Sequence, residues 1–111
     1  MITPEVSACI KVAACVCGKD GIISSEEEAE MLSILSESIP SFQADDLSRS
    51  LDEFFDSSNQ MEDYLNEIMD PELINFAIYL SRKSASSDGL DPMENIALQK
   101  AITFWGLEPN E

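Results

Sequence analysis

Two stretches of this chain are apolar around almost the whole circumference of a helix, and an Asp-Gly pair follows each of them. The first stretch covers about 4–17 and leads to Asp20-Gly21, and the second covers about 71–85 and leads to Asp88-Gly89. A helix that has no polar face is buried among other helices. The sequence therefore predicts two buried central helices, each ending in a tight turn.

A helix with carboxylates at its start follows each turn. After the first turn, Ser24 and Glu27 have the spacing of a capping box, in which each side chain satisfies a free backbone N–H at the start of the helix. After the second turn, Asp91 precedes Pro92, which suits the first position of a helix. The same order of elements occurs twice, which predicts an internal duplication in which each acidic helix folds back over the central helix before it. The pseudo-repeats span about 4–38 and 71–106.

Acidic helices over about 44–69 are predicted to join the pseudo-repeats. Leu47 and Leu51 recur there at helical spacing. Strand-length alternation of apolar and polar residues is absent from the sequence. We therefore predict an all-α bundle of about six helices that forms a single domain over residues 1–111.

Glycines mark two of the predicted helix ends. Gly18 is predicted to end the first central helix in the left-handed conformation, and Gly106 to end the last helix. Phe104 and Trp105 precede Gly106, and we expect both aromatic rings to fill the core there. The alternative is an exposed aromatic anchor for a partner.

The charge of the chain limits its partners. It has 22 acidic and 6 basic residues, a net charge of −16. Such a field repels nucleic acid and anionic membranes and favours cations and basic protein surfaces. The start has no basic region typical of a signal peptide, and the longest apolar run, 8–17, is too short to span a bilayer. Cys9, Cys15 and Cys17 fit reduced core thiols, so we expect a cytoplasmic protein that is not membrane-inserted.

The first Asp-Gly turn resembles the second half of an EF-hand calcium loop. Asp20 would occupy loop position 5, with a glycine after it, and Glu27 would occupy position 12. Val16 and Gly18 fall on positions 1 and 3 and offer no side-chain oxygen, so a complete EF-hand is excluded. In the second copy Glu94 stands one residue earlier than its counterpart.

Two alternatives remain open from the residues alone. If the central helices pack in parallel, both turns lie at one end of the molecule, and Asp20, Glu27, Asp88 and Glu94 can converge. If they pack antiparallel, the turns are far apart. The Asp-Gly pairs also suit simple turns, and the glutamates suit simple helix caps.

These features together resemble the TerB-like family, a helical domain named for a bacterial tellurite-resistance protein. The matching stretches are about 12–35 and 80–107, each with an Asp-Gly turn before an acid-started helix. Lys19 and Ser87 stand where the family has alanine. The resemblance implies a duplicated all-α fold, binding of a cation, chiefly calcium, and a part in stress or tellurite-resistance complexes. The ligands it implies are Asp20, Glu27, Asp88 and Glu94.

Carboxylates without histidine favour calcium or magnesium over zinc, and nothing indicates an organic cofactor. The chain also lacks a nucleophile elbow and a glycine-rich phosphate loop, so we expect no enzymatic activity; a carboxylate-metal hydrolase is the least favoured class. We predict a cation-binding module whose protein partner has a basic surface and which does not bind nucleic acid directly. The alternative is an acidic interaction module, or a nucleic-acid mimic, that blocks a basic partner without metal.

Overall fold

A computed structural model describes residues 3–18, 23–57, 61–88 and 92–106, with only the backbone of Asp88, Met93 and Glu94. Within these ranges all regular structure is helical, and no strand occurs. The helices are α1 (Pro4–Cys17), α2 (Ser25–Ser38), α3 (Ala44–Asp56), α4 (Met61–Leu65), α5 (Pro71–Ala85) and α6 (Pro92–Phe104), with a 3-10 turn at Ser86–Asp88. The prediction of an all-α fold with about six helices is confirmed.

Side-chain caps fix where the helices begin. The Thr3 hydroxyl accepts a hydrogen bond from the Val6 amide at 3.2 Å at the start of α1, and proline follows as the first helical residue. At the start of α5, the Asp70 carboxylate accepts from the Glu72 amide at 2.9 Å, and again proline comes first. Short-range chemistry of this kind is readable from sequence, and these two helices begin at the predicted residues.

Helix α1 is the centre of the bundle, and it packs against α3, α4, α5 and α6. Its buried side chains surround the helix axis as predicted; they are Ala8, Cys9, Ile10, Val12, Ala13, Ala14, Val16 and Cys17. Helix α5 is less central than its sequence predicts. Ala77 and Leu80 are buried, but Tyr79 is 48% exposed. Helix α5 is therefore buried on one side, while the face that carries Tyr79 lies in solvent.

The two central helices run in parallel. The Glu5 carboxylate near the start of α1 accepts hydrogen bonds from the backbone amides of Met69 and Asp70, at 3.0 and 3.3 Å, just before α5 begins. One turn further along α1, the Cys9 thiol donates to the Leu73 carbonyl in the first turn of α5, at 3.4 Å. Both helices thus start at one end of the molecule and point the same way.

Helix α2 crosses to the other half of the molecule. It packs mainly against α5 and the Ser86–Asp88 turn, whereas α6 packs against both α1 and α5. The sequence predicts that each acidic helix folds back over the central helix that precedes it; this is wrong for α2. Its buried stripe of Met31, Ile34 and Leu35 lies on the neighbouring helix instead. The two halves are consequently interleaved.

The first of the two glycine helix ends differs from prediction, and so does the packing of Phe104 beside the second. Gly18 has a φ of −97°, which is not left-handed. Glycine is needed there because a Cβ would lie 2.9 Å from the Ala14 carbonyl oxygen. Gly106 does adopt a left-handed φ of +72°. Next to it, the Trp105 indole N–H donates to the Leu65 carbonyl at 3.3 Å, but Phe104 is exposed and does not fill the core.

Replacing Glu5 by alanine tests the contact that aligns α1 and α5. The change removes an ionised acceptor shared by two backbone amides, so we expect the free energy of unfolding to fall by about 1–2 kcal/mol. Glu37→Ala, which removes an exposed acid from the end of α2, should change it by less than about 0.5 kcal/mol. Urea unfolding of both variants measures the difference; equal losses would show that the Glu5 contact does not stabilise the fold.

Candidate functional site

The parallel packing of α1 and α5 brings the segments that precede the two Asp-Gly pairs to one end of the molecule. Gly18 follows α1 at this end, and Ser86–Asp88 follows α5. Helix α2, which begins just after the first turn, packs against Ser86–Asp88 directly. Of the two arrangements left open by the sequence, the parallel one is therefore present. We call this region the turn end.

Glu27 is the one predicted ligand whose side chain is described. It is only 3% exposed, and its Oε1 accepts a hydrogen bond from the Ser24 amide at 2.9 Å. In return, the Glu27 amide donates to the Ser24 hydroxyl at 3.1 Å. The predicted capping box is thus present. Because the box uses Oε1, the oxygen that a cation would take is Oε2.

The other three predicted ligands fall outside the described side chains. Asp20 lies outside the described residues, as do the side chains of Asp88 and Glu94. Among the residues that are described, no group of three or more cysteines or carboxylates is arranged to hold a metal ion. Only Glu27 of the four predicted ligands belongs to that part of the chain, so convergence of the four remains a prediction.

The cysteines behave mainly as core thiols. Cys9 and Cys17 are buried, as predicted, and Cys15 is partly exposed. Burial, and to a smaller extent the nearby negative charge of Glu5, raise the pKa of the Cys9 thiol from 9.0 to about 12. A thiol with such a pKa stays protonated at neutral pH and is a poor nucleophile and a poor metal ligand.

The raised pKa of Cys9 predicts a loss of stability in alkali. Between about pH 9 and pH 12 the thiol ionises in the unfolded chain but not in the folded one, so the unfolded state binds fewer protons. The free energy of unfolding should fall there by about 1.4 kcal/mol per pH unit from this group. Urea unfolding at several pH values in that range gives the free energy of unfolding as a function of pH. This free energy should fall less steeply with pH for Cys9→Ala than for the wild type. Identical slopes for the two proteins would contradict the raised pKa.

A second concave site lies between α1 and α3, at the opposite end of α1 from the turns. It is a pocket of about 360 Å³ whose lining residues are mostly polar or charged. The Ser7 and Ser50 hydroxyls lie 3.1 Å apart there, and Lys11 Nζ lies 2.9 Å from Glu53 Oε1. The Lys11 ammonium lowers the pKa of the Glu53 carboxyl through this hydrogen bond. We call this region the α1–α3 pocket.

The α1–α3 pocket was not predicted from the sequence, although one residue indicated it. Lys11 is the only charged residue in the apolar run 8–17. A charge on a buried helix needs a partner of opposite sign, because burial of an unpaired charge is costly. Lys11 therefore indicated that an acidic helix would pack beside it. Many acids were available, so the choice of Glu53 depended on the packing of α3.

The outer surface is strongly acidic. On α3, Asp45, Asp52 and Asp56 are exposed, and on α2 Glu26 and Glu28 are exposed. Lys100 pairs with Glu62 at 2.9 Å and lowers the pKa of that carboxyl. Among the described residues, no helix is both long and apolar enough to cross a bilayer.

Comparison with known proteins gives no relative: no protein-family model, curated protein or solved structure matches the chain significantly. The resemblance to the TerB-like family thus rests on the Asp-Gly turns and the acid-started helices alone, and it remains a prediction.

Proposed function

We propose that this protein is a non-enzymatic, acidic helical module that binds a divalent cation, calcium or magnesium, at the turn end. The observation that supports this most directly is the parallel packing of α1 and α5, established by the contacts of Glu5 and Cys9 with the start of α5. It brings Gly18 and Ser86–Asp88, the described residues that lead to the two Asp-Gly pairs, to the same end of the bundle. Hard cations prefer several oxygen ligands, carboxylates among them, and the sequence around the two Asp-Gly pairs contains several carboxylates.

The proposed ligands are Asp20, Glu27, Asp88 and Glu94. The packing of α2 on Ser86–Asp88 supports a shared site, because the helix that carries Glu27 lies against the 3-10 turn that leads to Gly89. The net charge of −16 adds an attraction for any cation, and part of it would be relieved on binding. The resemblance to the TerB-like family suggests that the module acts in a cytoplasmic stress-response or tellurite-resistance complex.

Thermal melting in calcium, in magnesium and in sodium chloride of equal ionic strength tests the proposal. A specific site raises the melting temperature in calcium or magnesium beyond the increase in sodium chloride, because the ion binds only the folded protein. The absence of any extra stabilisation at millimolar calcium and at millimolar magnesium would refute cation binding.

Glu27→Gln separates capping from cation binding at a single residue. Glutamine keeps the acceptor that the capping box needs but lacks the negative charge that a cation needs. Without metal, we expect the free energy of unfolding of the variant to lie within about 1 kcal/mol of the wild-type value. We also expect the variant to lose most of the stabilisation by calcium. A variant that loses stability without metal but keeps its calcium response would limit Glu27 to a capping role.

A second candidate is an acidic interaction module that needs no metal. The exposed carboxylates of α2 and α3 favour it, as does the engagement of Glu27 Oε1 in the capping box. Such a module would bind a basic protein, in the way that a nucleic-acid mimic occupies a DNA-binding surface. Competition with duplex DNA for a DNA-binding protein tests it. Strong salt dependence and indifference to calcium would favour this candidate over the first.

A further inference from the structure

We infer that the α1–α3 pocket binds a small zwitterion, such as an α-amino acid or a short peptide with free ends. The pocket is independent of the proposed cation site, because it lies at the start of α1 and shares none of the proposed cation ligands. Its volume of about 360 Å³ is within the range of small-molecule sites.

Two of the polar residues that line the pocket are buried. Ser50 and Asp46 are both buried, and the Ser50 hydroxyl lies 3.1 Å from that of Ser7. Asp46 Oδ2 accepts a hydrogen bond from the Gln43 amide at 3.1 Å, which holds the carboxylate in place. Fixed hydroxyl and carboxylate groups in a pocket orient a polar ligand and would not favour an apolar one.

Two charged groups at the pocket retain spare binding capacity. The Arg49 side chain is 62% exposed, and its contact with Asp46 Oδ1 is long, at 3.6 Å. Glu67 is exposed and has no ion-pair partner among the residues that the structure describes. By contrast, Lys11 and Glu53 hold each other at 2.9 Å. The Arg49 guanidinium and the Glu67 carboxylate are therefore available to a ligand.

A ligand with both charges fits this pair. Arginine binds a carboxylate through two parallel hydrogen bonds, and a glutamate carboxylate accepts from an ammonium group. A simple anion would be repelled by the net charge of −16 and by the pocket carboxylates. A simple cation would leave Arg49 without a ligand group. A zwitterion has no net charge and satisfies both Arg49 and Glu67.

Chemical-shift titration of the isotopically labelled protein with glycine and with glycylglycine tests the inference. We expect saturable shifts confined to α1, α3 and the segment around Glu67. N-acetyl-glycylglycine lacks the ammonium and glycylglycinamide lacks the carboxylate, so each should bind at least about tenfold more weakly than glycylglycine. Absence of saturable shifts with both probes, or equal binding by a blocked peptide, would overturn the inference.

Variants locate the site. Arg49→Gln and Glu67→Gln should each weaken binding at least about tenfold. Arg82→Gln and Glu72→Gln change the same residue types on α5, outside the pocket, and should leave binding unchanged. Melting curves without ligand verify that all four variants fold. Equal weakening by the α5 variants would overturn the inference, and none of these outcomes depends on calcium.

Discussion

Replacing Ile10 by alanine is expected to lower the free energy of unfolding by about 2–5 kcal/mol, a large share of the stability of a domain of this size. Ile10 is completely buried in α1, the helix that packs against four others. The substitution removes apolar surface from the core and leaves a cavity. The helices packed around α1 can relax only partly into that space. Chemical denaturation followed by circular dichroism gives the value.

Ile96→Ala is the matched control, since it deletes the same atoms from a side chain on α6 that is 63% exposed. Ile96 buries little apolar surface, so we expect the free energy of unfolding to change by less than about 1 kcal/mol. Similar losses for the two alanine variants would contradict the central position of α1 in the fold.

Substituting Asp20 and Asp88 together by asparagine is expected to abolish the specific stabilisation by calcium. Asparagine-glycine forms the same tight turns as aspartate-glycine, so the backbone is retained while two ligand charges are lost. In the wild type, calcium at one hundred times its dissociation constant would stabilise the fold by about 2.7 kcal/mol. The double variant should show only the effect of ionic strength.

A control for charge is essential in a protein with a net charge of −16, because calcium screens any carboxylate. Asp45→Asn combined with Asp52→Asn removes the same two charges from exposed positions on α3. This variant should keep the full calcium response. If both double variants lose it equally, the response is screening and no specific site exists.

Helix starts could be predicted from the sequence because their causes are local. A capping residue and a proline lie next to each other at Thr3-Pro4 and at Asp70-Pro71, and the capping box of Ser24 spans only three residues. The burial of α1 could also be predicted, because its apolar residues leave no side for solvent. Each of these properties is decided within one helix.

Contacts between helices could not be predicted in the same way. The buried stripe on α2 is compatible with either central helix, and only the path of the chain placed it on α5. The direction of α5 relative to α1 was open because a connection of about fifty residues permits both. Tyr79 shows a further limit: its ring counts as apolar in the sequence pattern, yet it is exposed on α5.

The two candidate sites also differ in whether they depend on local sequence or on contacts between helices. Repetition of Asp-Gly marked the turn end in the sequence, because the motif is short and local. The α1–α3 pocket needs Ser7 from one helix and Ser50 from another, 43 residues apart, so only the packing of α1 on α3 creates it. Lys11 indicated that an acidic helix packs against α1, but it did not identify that helix as α3.

The stoichiometry of calcium binding, measured by isothermal titration calorimetry on the wild type and on the single variants Asp20→Asn and Asp88→Asn, tests the shared site at the turn end most directly. A site shared by the two turns predicts one ion per chain, with binding lost or greatly weakened in each single variant. Absence of calcium binding, or binding that neither substitution affects, would contradict the account. If the wild type binds two ions per chain and each single variant binds one, the turns bind calcium independently. That result would contradict the shared site.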